Sequence, residues 1–151
     1  MGSEFAEQVT VRPATIEDAD SLAVLCSQLG YPSAPSDIDS RLQDLQAKHD
    51  HIVYVAHLRD GRVVGWSHAH QCHLVIAPPQ ILVLGLIVDA NYHHRGVGRL
   101  LMQHIEQWAL AKGCSSVLLR SNIVRREAHQ FYERIGYINT KQSLVFYKEL
   151  T

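Results

Sequence analysis

Apolar positions along the chain change their period several times, and each change marks an element. Val9 to Arg12 alternates and predicts a first strand. Thr15 with Asp18 forms a capping pair ahead of a helix. Its Ile16, Ala19, Leu22, Ala23, Cys26 and Leu29 fall on one face, and Gly30 ends it. After a connector over Tyr31 to Pro35, Ser36 with Asp39 repeats the capping pattern, and Ile38, Leu42, Leu45 and His49 follow at helical spacing. Ile52 to Leu58 then reads as a strand, Asp60-Gly61 as a hairpin turn, and Val63 to His73 as the partner strand. Pro78-Pro79 breaks the chain. Gln80 to Asp89 is apolar on both faces, as expected of a central strand. The spacing of Val97, Leu101, Ile105 and Trp108 predicts a helix over about Gly96 to Lys112, with Gly113 as its stop. A short strand over Ser115 to Arg120, a helix over about Arg125 to Ile135 and one or two last strands within Tyr137 to Leu150 complete the reading. The expected order is β-α-α-β-β-β-α-β-α-β, an α/β (α+β) chain whose mixed sheet carries helices on its faces.

Composition narrows the classes. A chain of 151 residues suits one domain, and 46% hydrophobic with 19% charged residues describes a globular protein. A net charge of −1 and the lack of a Lys/Arg block give no footprint for nucleic acid. No apolar run approaches the roughly 20 residues that span a bilayer, so no membrane partner is expected. Residues 1–8 read as a vector scar (Gly2-Ser3-Glu4-Phe5) and a flexible N-terminus, with no signal peptide, leaving 9–151 as the domain. Cys26, Cys72 and Cys114 are odd in number and form no CxxC pair, which points to buried thiols in a reducing, cytoplasmic compartment.

The chemistry concentrates at Val88-Asp89-Ala90-Asn91-Tyr92-His93-His94-Arg95-Gly96-Val97-Gly98-Arg99, where a central strand enters an amphipathic helix. A helix start carries backbone N–H groups without intrahelical partners, and its dipole favours an anion. Gly96 and Gly98 allow an anion close to that backbone, which makes a phosphate cradle. The alternative is a tight strand-to-helix turn and nothing more.

With Leu100-Leu101 added, this segment resembles the acetyl-CoA motif of the GNAT-type N-acetyltransferase superfamily. Ala128-His129-Gln130-Phe131-Tyr132-Glu133-Arg134-Ile135-Gly136-Tyr137 is similar to that family's second signature, and the element order agrees over about residues 9 to 150. The resemblance implies a single GNAT-like domain, a mostly antiparallel mixed sheet with helices on both faces, and central strands splayed around the cofactor. It places the backbone of Leu86, Ile87 and Val88 along the pantetheine arm, and His93, His94, Arg95, Gly96, Val97, Gly98 and Arg99 at the pyrophosphate. It makes Tyr132 the acid that protonates the departing thiolate. His93 departs from the family's Arg or Gln, which implies weaker or pH-sensitive cofactor binding. Arg125 stands where many members carry Asn, with Asn122 as a substitute for the pantetheine contact.

Amine acetylation also needs a proton acceptor. Many relatives place a Glu on the central strand, but Ile81 to Val88 holds no carboxylate. On the preceding strand, alternation puts Trp66, His68, His70 and Cys72 on one face and Ser67, Ala69, Gln71 and His73 on the other. His68 or His70 is then a candidate base near neutral pH. A water chain without a single base, an exposed polar face, and a zinc site at His68, His70 and Cys72 are the alternatives; one strand face supplies only one side of a tetrahedron, so no metal is expected. The expected function is transfer of an acetyl group from acetyl-CoA, as co-substrate, to a primary amine of a small molecule or peptide by direct attack in a ternary complex. The alternative is a non-catalytic acyl-CoA-binding sensor. A homodimer through the last strands and helices is compatible with the alternation of Ser143 to Leu150.

Overall fold

In the computed structural model, which describes residues 8–151, the first strand β1 (Thr10–Pro13) is tied to the start of the first helix by one ion pair. Arg12 Nη1 and Nη2 donate to the two carboxylate oxygens of Asp18 at 2.8 and 2.9 Å. Asp18 Oδ2 also accepts the Thr15 N–H at 2.8 Å. A single 3-10 turn (Ile16–Asp18) leads into α1 (Ala19–Gln28), which buries Ala19, Leu22, Ala23 and Leu25. Helix α2 runs Pro35–Gln46, and its start corrects the expectation of a cap at Ser36. Pro35 occupies the first turn with Ala34 before it, because a missing N–H and a fixed φ cost nothing there.

Strands β2 (His51–His57) and β3 (Val63–Cys72) form the expected hairpin, with Gly61 at φ +89° in the turn. Strand β4 (Gln80–Val88) pairs antiparallel with β3. Helix α3 (Val97–Ala111) then crosses over to β5 (Val117–Leu119), which pairs parallel with β4. The sheet order is β1-β2-β3-β4-β5, a mixed and mostly antiparallel sheet. Its two faces are covered by different helices. Val55, Val63 and Ile87 share a core with Leu22 and Leu25 of α1 and Ile38 and Leu42 of α2. Their sequence neighbours Ala56 and Val64 share another core with Val97 and Leu101 of α3. This is the period of two written into β2; on β3 the register shift beside Ala56 leaves Val64 as an extra residue on the same face as Gly65. The α3 stripe is Val97, Leu101, Met102, Ile105 and Ala109; Trp108, expected to point inward, is half-buried, with Lys112 Nζ 5.5 Å from its ring. Of the three thiols, Cys114 is buried and Cys26 and Cys72 are half-buried, and all are free.

Residues 121–151 form a separate compact unit containing α4 (Arg126–Arg134). The expected last strands are not formed. Residues 138–151 adopt no helix or strand, and Ile138, Leu144, Val145, Phe146, Tyr147 and Leu150 are exposed. Alternation supplies one apolar face, but a strand also needs a neighbour to complete its ladder, and no described strand pairs with this segment. The scar expected over 1–8 lies almost wholly outside the described residues.

Two outcomes follow from these contacts. A Cβ at Gly65 would stand 3.0 Å from the Ile87 carbonyl oxygen and 3.2 Å from Leu101 Cδ1, so Gly65→Ala should lose about 1–3 kcal/mol in urea unfolding. Burial pushes the Asp18 carboxyl up, but the hydrogen bonds from Arg12 and Thr15 outweigh it and hold its pKa below the ordinary value. The stabilisation is therefore present above the unfolded value of about 4 and is lost as pH falls through the folded one. Asp18→Asn should flatten the acid limb of a stability–pH curve over that window.

Candidate active site

The site begins where β4 loses its second neighbour. β5 pairs with Ile81, Leu82 and Val83, and no described strand pairs with Leu84–Val88 on that side. The β3–β4 register shifts at the same point: His68 opposes Gly85, Ala69 opposes Val83, and Leu84 is the extra residue of a bulge. The bulge switches the faces of the strand. Leu86 and Val88 pack toward α3, and Ile87 packs toward α1 and α2. Gly85 leaves room for Trp66, whose Cζ3 and Cη2 lie 2.7 and 2.8 Å from where a Cβ would stand.

Beyond Val88 the chain turns into α3 through bonds of its own. Asp89 Oδ1 accepts the Asn91 N–H at 2.9 Å, and Gln28 Oε1 accepts the Ala90 N–H at 3.0 Å. His93 Nε2 lies 2.8 Å from the Val88 carbonyl oxygen, which can only accept, so this nitrogen carries the proton. His94 (φ 62°) and Gly96 (φ 84°) are left-handed. Gly96 caps α3, no side chain fills the cap, and nothing lies within 4 Å of a Cβ there. The N–H groups of Val97, Gly98 and Arg99 precede the first i to i−4 bond, from Leu100 N–H to the Gly96 carbonyl. No acidic residue occupies the first turn. Arg95 and Arg62 each place a guanidinium 5.7 Å from the Tyr92 ring centroid. Such an end is built for an anion.

On the α1/α2 face of the sheet, His68 and His70 of β3 meet His51 of β2. His51 stacks on both, with centroids 5.2 and 5.0 Å apart, and its Nδ1 lies 3.0 Å from His68 Nε2. Burial, then the neighbouring His51 and His70, lowers the His68 pKa to about 4. Burial also lowers that of His51, with Asp50 opposing and His70 and Lys48 adding to the effect. His68 is therefore neutral at physiological pH, with one unprotonated ring nitrogen, and its conjugate acid is strong. Among the described residues no group of three or more His, Cys, Asp or Glu is arranged to hold a metal ion.

In the second unit, Tyr132 is half-buried and meets Phe131 and Tyr137 edge-on, with centroids 5.1 and 6.1 Å away. Burial raises its pKa, partly offset by Arg125, so the phenol is protonated at neutral pH. Asn122 Oδ1 accepts the Val124 N–H at 3.1 Å, and the Asn122 carbonyl accepts from His129 Nε2 at 2.8 Å and from the Arg125 N–H at 3.0 Å. The structure thus gathers Leu86–Val88 and His93–Arg99 along one strand-turn-helix run and His68 with His70 on one face, while Asn122, Arg125 and Tyr132 lie together in the second unit. His51, the seat of Trp66 on Gly85 and the Leu84 bulge are not visible in the sequence pattern. The lone Gly85 inside an apolar strand was the available signal for the bulge; His51 fell one residue outside the expected strand, and only the register brings it to His70.

Residues 17–137 match the acetyltransferase (GNAT) family, and the chain belongs to it. The match runs through both units. The chain is 33% identical over 133 residues to the aminoalkylphosphonate N-acetyltransferase of Salmonella typhimurium, covering 84% of this chain and 83% of that protein. It is 27% identical over 147 residues to an aminoglycoside N(6')-acetyltransferase type 1 of Stenotrophomonas maltophilia, covering 94% of each. In fold it is similar to AAC(6')-Iy in complex with the bisubstrate analog CoA-S-monomethyl-acetylneamine, with TM-score 0.80, 18% identity and coverage of 93% and 98%. The protein is an acyltransferase of the N-acetyltransferase kind, and its chemistry is acetyl transfer to amines. No helix of the described residues is long and apolar enough to cross a membrane.

The close seat of Trp66 on Gly85 can be tested directly. Gly85→Ala should displace the indole, shift Trp fluorescence and cost about 1–3 kcal/mol in urea unfolding, because a ring has no flexible end to yield.

Proposed function

We propose that the protein transfers the acetyl group of acetyl-CoA, its co-substrate, to a primary amine of a small molecule or peptide by direct attack in a ternary complex. The observation that carries this reading is the continuity of the open β4 edge with the uncapped start of α3. Peptide groups of Leu86, Ile87 and Val88 would hold the pantetheine arm by strand-like bonds. The N–H groups at Gly96, Val97, Gly98 and Arg99, with the turn from His93 through Arg95, would hold the pyrophosphate. The open space over Gly96 suits this role, since a side chain there would fill the cradle. Among relatives of known structure, one carries a CoA-based bisubstrate analog, which supports the same co-substrate. Asn122 and Arg125 belong to this reading as further cofactor contacts in the second unit.

An amide at Ile87 or Val88 would stabilise the oxyanion of the transition state. His68 or His70 would take the amine proton, and Tyr132, protonated at neutral pH, would supply one to the thiolate. Glu17, Asp20 and Asp39 line a surface depression of about 290 Å³ between the starts of α1 and α2, which favours a cationic acceptor such as an amino sugar. The names of the aminoglycoside and aminoalkylphosphonate relatives support a small amine over a protein. Three free cysteines support a cytoplasmic setting.

Thermal unfolding with acetyl-CoA tests the cofactor site first. At about 100 times the dissociation constant the protein should gain roughly 2.7 kcal/mol, and Gly96→Val should abolish the gain; no shift in the wild type would sink the reading. Tyr132→Phe should lower kcat by roughly 10² with acetyl-CoA affinity retained, and an unchanged kcat would remove the phenol from the mechanism.

A further inference from the structure

We propose that His51 is a positioning residue for His68, accepting the Nε2–H of His68 at its own Nδ1 and so turning the Nδ1 lone pair of His68 to the acceptor amine. This inference rests on the reading of His68 as the base.

His51 Nδ1 and His68 Nε2 lie 3.0 Å apart. Two imidazole nitrogens at this distance share one proton, so one ring donates and the other accepts. If His68 donates, its Nδ1 is unprotonated. If His51 donates, Nε2 is the basic nitrogen of His68, it is already occupied, and Nδ1 carries the other proton. Only the first tautomer leaves His68 a lone pair for an amine. The second ring nitrogen of a catalytic histidine is routinely held this way by an acceptor.

The surroundings favour the first tautomer. His68 is the more buried of the two, and as the donor it satisfies its one N–H at His51, whereas as the acceptor it would carry that N–H on Nδ1, away from this contact. The other titratable and charged groups bearing on this pair are His70 from β3 and, next to His51, Asp50 and Lys48. His51 stacks on His70 as well as His68, so its ring is held from both sides. His68 also lies opposite Gly85, the residue at which β4 has lost its second neighbour and carries no side chain. One strand spacing, about 4.8 Å, therefore separates its backbone from the strand with the open edge.

The step balances as follows. The amine nitrogen bonds to the acetyl carbon and the carbon–sulfur bond breaks. The amine N–H proton passes to His68 Nδ1, and the thiolate takes a proton from Tyr132. The imidazolium formed on His68 donates its Nε2–H to His51 Nδ1, which spreads the charge over two rings until water removes the proton from Nδ1 and Tyr132 is reprotonated from solvent. A neutral His acceptor supports this charge less strongly than a carboxylate would, in keeping with the low proton affinity of His68.

Nitrogen-15 spectra of imidazole-labelled full-length protein, with no substrate present, read the tautomers directly. The expected result is His68 as the Nε2–H tautomer, and a mixture of tautomers in His51→Phe, which keeps the ring but removes the acceptor. His68 as the Nδ1–H tautomer, or a His68 spectrum unchanged in His51→Phe, overturns the inference. Turnover of neamine and 2-aminoethylphosphonate gives the second arm. His51→Phe should lower kcat about tenfold and move the acid limb of the pH profile, with KM values unchanged, and His51→Gln, whose amide oxygen accepts the same N–H, should restore part of it. Wild-type kcat and pH profile in His51→Phe together with loss of activity in His68→Phe would overturn the role of His51 and leave His68 as the base. Full activity in both variants would remove the base reading and the inference with it.

Discussion

A peptide group in the middle of a sheet has to be paired, and β4 breaks that rule along half its length. Its ladder with β5 stops at Val83, and among the described strands Leu84–Val88 run on with β3 alone beside them. The cost of leaving strand edges unpaired is accepted where something else is meant to bind them. The bulge at Leu84 sits at the same place and turns the faces of the strand, so that Leu86 and Val88 face α3 while Ile87 faces α1 and α2. A strand that is open on one edge and anchored on both faces is rigid without being complete.

The turn after Val88 extends that arrangement. His93 holds the Val88 carbonyl, Gln28 and Asp89 hold the turn, and left-handed His94 and Gly96 bring the chain into α3. What remains uncommitted at the end is a set of backbone N–H groups with a positive dipole behind them and no acidic side chain in the first turn. Strand edge and helix start would therefore offer donors and acceptors to the proposed co-substrate, extended at one end and anionic at the other. On the neighbouring strand burial keeps His68 neutral, which would suit the proposed proton acceptor.

Much of this was legible in the chain because it depends on local spacing. Gly96 before an amphipathic stripe predicts the turn into α3, and Asp60-Gly61 predicts its hairpin, because both glycines take a left-handed conformation that few residues adopt. What stayed hidden depends on register. The His51–His68 contact needs the pairing of β2 with β3 to be known to the residue, and the bulge at Leu84 needs the pairing of β3 with β4. The last strands were misread for the complementary reason: Leu144 and Phe146 alternate as a strand should, but alternation carries no information about which edge, if any, receives them.

Amide hydrogen exchange with and without acetyl-CoA tests the central claim most directly, since it reads the open edge itself. New protection is expected at amides within Leu84–Val88 and at Gly96–Arg99. Protection that leaves both segments unchanged while appearing elsewhere, or no protection at saturating ligand, would contradict it.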